Sequence, residues 1–318
     1  MSLLEIKNIS KRSNGGFIID GISFSVDEKG IYGFFGKNVE EKTVLAAILG
    51  GISDVDGGEV LYKGESLQAS EKTAAKIKRK IGFVHDRCHF PSNMTVEEVL
   101  DFTGMAKGIS PDKRARQIKE ALEITGLSNR SGCLIENLKS SEKKRVGYAN
   151  ALIGNPDVLI VDEPIAAIDH TQRDEIRKLI KMLGKLKVVL LFAANPCDIE
   201  SVCDYAGILS QGRLVAFEAF DGLIERLNKT VMALARIKAN ASVRDELLRK
   251  ISAIEGVLSV RESGISGLIT DFVIECRSKD GISESLSSAV TENRAEVVSL
   301  RFTTLGINDI VDAICAKE

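Results

Sequence analysis

The sequence contains no apolar run near the roughly 20 residues that a bilayer-spanning helix needs, and Met1–Lys11 lacks the basic-then-apolar order of a secretory signal. The chain is therefore expected to stay in the cytosol. It has no excess of charge of either sign: 43 Lys and Arg against 45 Asp and Glu leave a net charge of -2. That balance argues against the basic footprint of a nucleic-acid binder, so no nucleic-acid partner is expected. There is no C-x-x-C pair either. Cys88, Cys133, Cys197, Cys203, Cys276 and Cys315 are scattered, which points to reduced thiols rather than a disulfide framework or a zinc ribbon. His85, Cys88 and His89 lie close together, but on an irregular stretch after a strand with no fourth ligand in view, so no metal site is expected there. No segment is of low complexity.

What is present is ordinary globular material. Apolar residues make up 44% and charged residues 28% of 318 positions, enough for real cores in about two domains. Leu3–Ile9, Ile18–Val26 and Gly30–Phe35 read as strands with turn residues between them, and are expected to form the first sheet of an α/β domain. Val158–Val161 and Val188–Phe192 are short, continuous apolar runs that suit parallel strands buried on both faces. Helical spacing over Glu97–Gly126 and Glu142–Leu152 predicts a helical insert on that sheet core. A second unit is expected at 229–318, after a first over 1–222. Its predicted order is strand 231–237, helix 243–254, strand 257–261, strand 270–276, helix 284–293 and strand 297–302, the βαββαβ sequence of a ferredoxin-like split unit, closed by a helix over Leu305–Ala316. No function follows from that small fold alone.

Gly33-Phe-Phe-Gly-Lys-Asn-Val-Glu-Glu-Lys-Thr43 leaves an apolar strand and runs into a helix, the position of a P-loop. In G-x-x-x-x-G-K-[ST], backbone N–H groups surround phosphates while the Lys and the hydroxyl reach phosphate and Mg²⁺. Gly36, Lys42 and Thr43 fit, and Glu41 stands where the second Gly belongs. A Cβ where the backbone must approach phosphate or adopt positive φ costs about 1–2 kcal/mol. A carboxylate about 4 Å from a phosphate charge adds a repulsion of roughly 4 kcal/mol at an effective dielectric of 20. That is about a thousandfold in affinity. Two readings of Lys42 stand side by side: residual phosphate contact, or pairing with Glu40 or Glu41 so that the loop is filled by its own acid.

Val158-Leu-Ile-Val-Asp-Glu-Pro164 is an apolar strand ending in Asp162 and Glu163. Taken with Leu138-Lys-Ser-Ser-Glu142 upstream, Ile165-Ala-Ala-Ile-Asp169 downstream, Ile81-Gly-Phe-Val84, Cys203-Asp204 and Gly212-Arg-Leu214, it resembles the ATP-binding-cassette family over about residues 2–217, landmark by landmark. The resemblance is strongest to cassettes of bacterial exporters whose membrane subunits are separate polypeptides, some with a C-terminal extension. It implies an α/β P-loop NTPase cassette with a mixed sheet core, followed here by the small α+β ferredoxin-like domain. ATP and Mg²⁺ are the implied cofactors. The implied nucleotide contacts are Gly36, Lys37, Asn38, Val39, Glu40, Glu41, Lys42, Thr43, Val44 and Asp86, with Thr43 and Asp162 toward Mg²⁺. Asp162 and Glu163 are the implied catalytic acids, Asp162 holding Mg²⁺ through water and Glu163 polarising the attacking water. Leu138, Lys139, Ser140, Ser141 and Glu142 would face the nucleotide of a second cassette in a head-to-tail dimer. The implied partners are that second cassette and an integral membrane subunit, which places the chain peripherally on the cytoplasmic face of a membrane.

The departures are numerous. No aromatic stands near Ser13 to stack on adenine, Val39 and Glu41 replace loop glycines, and Asp86 stands at the glutamine-loop position. Ser140 and Ser141 replace two signature glycines, and Ala194 stands where a switch histidine is expected, with no proton to give or take. The expectation is a cassette with weak or absent ATP hydrolysis. In the transporter reading, Asp86–Thr95 and the helices after it form the surface toward the membrane protein. The competing expectation is a scaffold or regulator that dimerises without using ATP. A soluble cassette acting on ribosomes or DNA is disfavoured, since tandem cassettes, long helical arms and cysteine clusters are all missing.

Overall fold

A computed structural model of the chain describes residues 2–13, 16–165, 168–227, 231–240 and 243–303, together with Val311. The chain divides into two compact units, Met1–Asp221 with Val311–Glu318, and Gly222–Ile310.

The first unit opens with β1 (Leu4–Ser13), β2 (Gly16–Val26) and β3 (Gly30–Phe35), then α1 (Val39–Leu49), β4 (Gly57–Tyr62), β5 (Glu65–Ser66), α2 (Glu71–Lys78) and β6 (Ile81–Val84). The first three strands were expected in one sheet, and they are not. Strands β1 and β2 alternate buried and exposed positions and join β4 and β5 in an antiparallel sheet of order β2-β1-β4-β5. All six residues of β3 are buried, so it needs cover on both faces and goes instead to the middle of the larger sheet.

The helical insert follows: α3 (Val96–Ala106), α4 (Pro111–Thr125) and α5 (Ser140–Leu152). Its helices start and stop where local chemistry directs. Thr95 and Glu98 form a reciprocal capping box before α3, Pro111 occupies the first turn of α4, and Gly126 ends α4 in the left-handed region at φ 69°. The chain then returns to the core as β7 (Val158–Asp162), α6 (His170–Leu186), β8 (Val188–Phe192), β9 (Tyr205–Ser210) and β10 (Arg213–Ala219), and α7 (Phe220–Leu227) leads into the second unit. The central sheet has order β10-β9-β3-β8-β7-β6, parallel except for β10 against β9. Strands β3, β7 and β8 are buried throughout, as the apolar runs of β7 and β8 predict. The carboxyl ends of β3, β6, β7 and β8 therefore lie side by side, where open α/β sheets hold ligands. Helix α5 sits close over β6 because Gly82 has no side chain: a Cβ there would stand 2.4 Å from the carbonyl oxygen of Ala151.

The second unit is β11 (Val231–Lys238), α8 (Arg244–Ser252), β12 (Val257–Ser266), β13 (Ile269–Cys276), α9 (Ile282–Glu292) and β14 (Glu296–Thr303). The sheet order β12-β13-β11-β14, antiparallel throughout, is the ferredoxin-like arrangement expected from the sequence. Leu247 and Ile251 of α8 and Leu286 and Val290 of α9 pack on Ala233, Ala235, Ile237, Phe272 and Ile274. The closing helix expected over Leu305–Ala316 lies outside the described residues, apart from Val311.

Candidate functional site

The loop after β3 becomes helical at Val39. Asn38 caps the helix: its Oδ1 accepts the N–H of Glu40 at 3.0 Å, and its Nδ2 donates to Glu41 Oε1 at 3.2 Å. Glu41 is 5% exposed, and its second carboxylate oxygen is buried with no hydrogen-bond partner. Lys42, 1% exposed, donates its ammonium to the carbonyl oxygens of Gly36 and Asn38, the latter at 3.2 Å. Gly36 is buried, whereas Lys37, Asn38, Val39, Glu40 and Thr43 are exposed and Val44 is half-buried. A helix N-terminus normally attracts an anionic ligand through its free N–H groups and the positive end of its dipole. Here the protein's own groups take up those features. The Glu40 N–H is bonded to Asn38, Glu40 and Glu41 supply negative charge in the first turn, and Lys42 is turned onto the loop's carbonyls.

Around the ends of β6, β7 and β8 lie the acids. Asp162 is the last residue of β7, and Glu163 follows it at φ 48°, the left-handed region that side chains rarely enter. Glu163 is held there by its N–H to Phe192 O at 2.8 Å and by its Oε1, which accepts the N–H of Ala194 at 2.5 Å. Burial raises the pKa of Asp162, the Asp86 charge raises it further, and Lys144 and Lys42 oppose the rise. Glu163 is likewise raised, first by burial and then by Asp162 and Asp86, against the Ala194 hydrogen bond and Lys42. Asp86, Asp162, Glu163, Lys42 and Lys144 therefore form one electrostatic group.

Lys144 is the member that sequence reasoning missed. It lies on α5, is 4% exposed, and donates to the carbonyl oxygens of His85, Asp86, Asp162 and Glu163. A signal was present, since Lys144 falls on the helical stripe of Ser141, Tyr148 and Ala151, all buried. The segment Leu138–Glu142 leads into the same helix. Leu138 and Ser141 are buried, Lys139 and Ser140 are exposed, and Glu142 accepts the N–H of Lys139 at 2.9 Å and Arg130 Nε at 2.9 Å. Among the described residues no group of three His, Cys, Asp or Glu side chains is placed to hold a metal, the His85, Cys88 and His89 segment included. Ala166 and Ala167, within the segment after Pro164, lie outside the described residues. No helix among the described residues is long and apolar enough to cross a membrane.

A parallel strand leading through Gly36 into a helix, with an acid pair ending a strand two places away in the same sheet, defines a P-loop nucleotide-binding cassette. The comparisons then place it within that class. Residues 19–166 match the family model described as ABC transporter. The bacitracin transport ATP-binding protein of Bacillus licheniformis is 30% identical over 230 residues, 72% of this chain and 73% of that protein. The linearmycin resistance ATP-binding protein of Bacillus subtilis (strain 168) is 27% identical over 301 residues, 94% of each chain. Among solved structures, cbiO1 of the ABC transporter complex cbiONQ from Clostridium perfringens superposes with TM-score 0.64 at 21% identity, covering 79% of this chain and 94% of that one. A dimeric ATP-binding cassette bound to ADP and Pi gives TM-score 0.61 at 21% identity, covering 68% and 98%. The chain belongs to the ABC transporter family, as an ATP-binding subunit. Membership implies an ATP and Mg²⁺ site, and relatives of this fold occur as dimers and within transporter complexes.

Proposed function

We propose that this chain is the ATP-binding subunit of a membrane export system with separate membrane subunits, and that its own site hydrolyses ATP weakly or not at all. Three relatives carry names that fit export or resistance: linearmycin resistance, bacitracin transport, and Nod factor export in Burkholderia lata. The linearmycin relative aligns over 94% of both chains, which supports the same branch for the C-terminal unit as well. In this reading 1–222 is the nucleotide-binding domain and 229–318 a C-terminal domain. Gly36–Val44 and Asp86 face nucleotide, Thr43 and Asp162 face Mg²⁺, and Glu163 faces the attacking water. Leu138–Glu142 face the nucleotide of a second cassette. Phe102 and Met105 of α3, 62% and 52% exposed, belong to the face turned to the membrane subunit.

The observation that carries the weak-site reading is Glu41, a buried carboxylate bonded to Asn38 inside the loop that should receive phosphate. Calorimetry with Mg-ATP on the parent chain, Glu41→Gly and the double variant Glu41→Gly with Lys42→Ala tests it. The parent is expected to bind in the millimolar range or not at all. Glu41→Gly should gain about a hundredfold to a thousandfold, and the added Lys42→Ala should abolish the gain. Micromolar binding by the parent that Lys42→Ala removes would overturn the weak-site reading and leave the family assignment intact. The export reading is tested separately, by co-expression with the membrane proteins encoded beside the chain; recovery of the chain alone would count against it.

A further inference from the structure

The ammonium of Lys144 stands at 2.9 Å from His85 O, 3.1 Å from Asp86 O, 3.3 Å from Asp162 O and 2.7 Å from Glu163 O. Three N–H groups serve these four acceptors, so at least one is shared. All four are main-chain oxygens. Two lie just beyond β6 and two at the end of β7, while the lysine itself comes from α5, one turn beyond Ser140 and Ser141. Burial pulls its pKa down, and the nearby Cys88, Asp86, Asp162 and Glu163 pull it back up. A buried cation on an apolar helix stripe is costly unless its hydrogen bonds are satisfied, and here they are satisfied by two loops at once.

We infer that Lys144 is a positioning residue: its ammonium ties the signature helix to both strand ends and fixes the spacing of Asp86, Asp162 and Glu163. Any displacement of α5 that moves Ser140–Glu142 must carry those strand ends with it or break the four bonds. The segment that would face a second cassette is thereby coupled to this chain's own acids through one side chain. The close approach that permits it comes from two glycines. Gly82 admits α5 onto β6, and Gly147 leaves room for Cys88, whose sulfur would stand 2.3 Å from a Cβ at that position. Cys88 Sγ in turn donates to His85 O at 3.4 Å, a bond within the loop after β6 that Lys144 ties to α5.

The coupling takes its meaning from the nucleotide reading of the acids, but the tether is tested without nucleotide. Amide hydrogen exchange is measured on the full chain for the parent, Lys144→Met and the neighbouring control Lys143→Met. Lys144→Met is expected to speed exchange at least tenfold in residues 84–88 and 162–165, with β1 and β2 unchanged, while the control matches the parent. If Lys144 only fills space, methionine of similar length replaces it, and exchange in both segments stays within twofold of the parent. That result overturns the inference, as does acceleration spread evenly over the first unit. Should Lys144→Met fail to fold, Lys144→Gln, which keeps two donors, is judged by the same criterion. Selective opening of both segments upholds the tether; no opening, or uniform opening, sinks it. Failure to bind Mg-ATP in calorimetry would leave this exchange pattern untouched, so the two readings fail independently.

Discussion

The main-chain N–H of Ala194 donates to Glu163 Oε1 at 2.5 Å, so the carboxylate is held by a group that no side chain at 194 supplies. In the proposed weak-site reading, alanine at 194 supplies no proton carrier, yet the acid stays held. It follows that Ala194→His alone should not create ATP turnover, because Glu41 still occupies the loop. In a Glu41→Gly background, by contrast, the same change should raise turnover by about a hundredfold, the scale of one general acid or base. Phosphate release by the two single variants and the double variant checks this. Turnover from Ala194→His alone would show that Glu41 is not the obstacle.

Close packing of α5 on β6 predicts a second outcome. In Gly82→Ala the new Cβ meets a backbone oxygen at 2.4 Å and Leu159 Cδ2 at 2.7 Å. The oxygen has no rotamer with which to yield. Overpacking of this kind costs about 1–3 kcal/mol. Gly132→Ala is the matched control, since nothing lies within 4 Å of its Cβ position; its effect should stay within about 0.5 kcal/mol. Urea unfolding of both variants decides the matter, and equal midpoints would refute the packing account.

The two sites differ in how far the sequence reveals them. Strands β7 and β8 were legible because full burial leaves an unbroken apolar run, and the second unit was legible because its strands and helices alternate in a known order. The allocation of β3 away from β1 and β2 was not, because pairing partners are chosen by contacts distant in sequence. The acids Asp162 and Glu163 stood out at a strand end. Lys144 did not, because it sits between Lys143 and Arg145 and reads as part of a charged surface; only its phase with Tyr148 betrays it. At the loop, the sequence left two readings of Lys42 open, phosphate contact or pairing with Glu40 or Glu41. The folded chain shows Asn38 bonded to Glu41, and Lys42 donating to the carbonyls of Gly36 and Asn38.

In the second unit, Phe272 is 1% exposed and sits in the core shared by α8 and α9. Phe272→Ala should cost about 3–5 kcal/mol, the scale of deleting a buried ring. Hydrogen exchange would show the loss across β11, β13 and α8. A variant whose exchange there matched the parent would mean that this core does not hold the unit together.

Tyr62 donates its hydroxyl to Asp157, which also accepts Lys63 Nζ at 3.0 Å. Burial, reinforced by the bond to Asp157, pushes the Tyr62 phenol up to about 12 from its ordinary 10.0. A folded pKa above the unfolded one means the stabilisation is complete below about pH 10. It is lost as the pH climbs from there through about 12. Asp157→Asn removes the carboxylate that holds the proton, so the phenol should titrate earlier and the alkaline loss of stability should begin at lower pH. Tyrosinate absorbance against pH, with Tyr62→Phe subtracted to isolate this one ring, reads the first effect, and urea unfolding across the same range reads the second. Because burial is the larger cause, Asp157→Asn should leave Tyr62 still above its ordinary value; a return all the way to it would mean that the carboxylate, and not the covering of the ring, sets the shift.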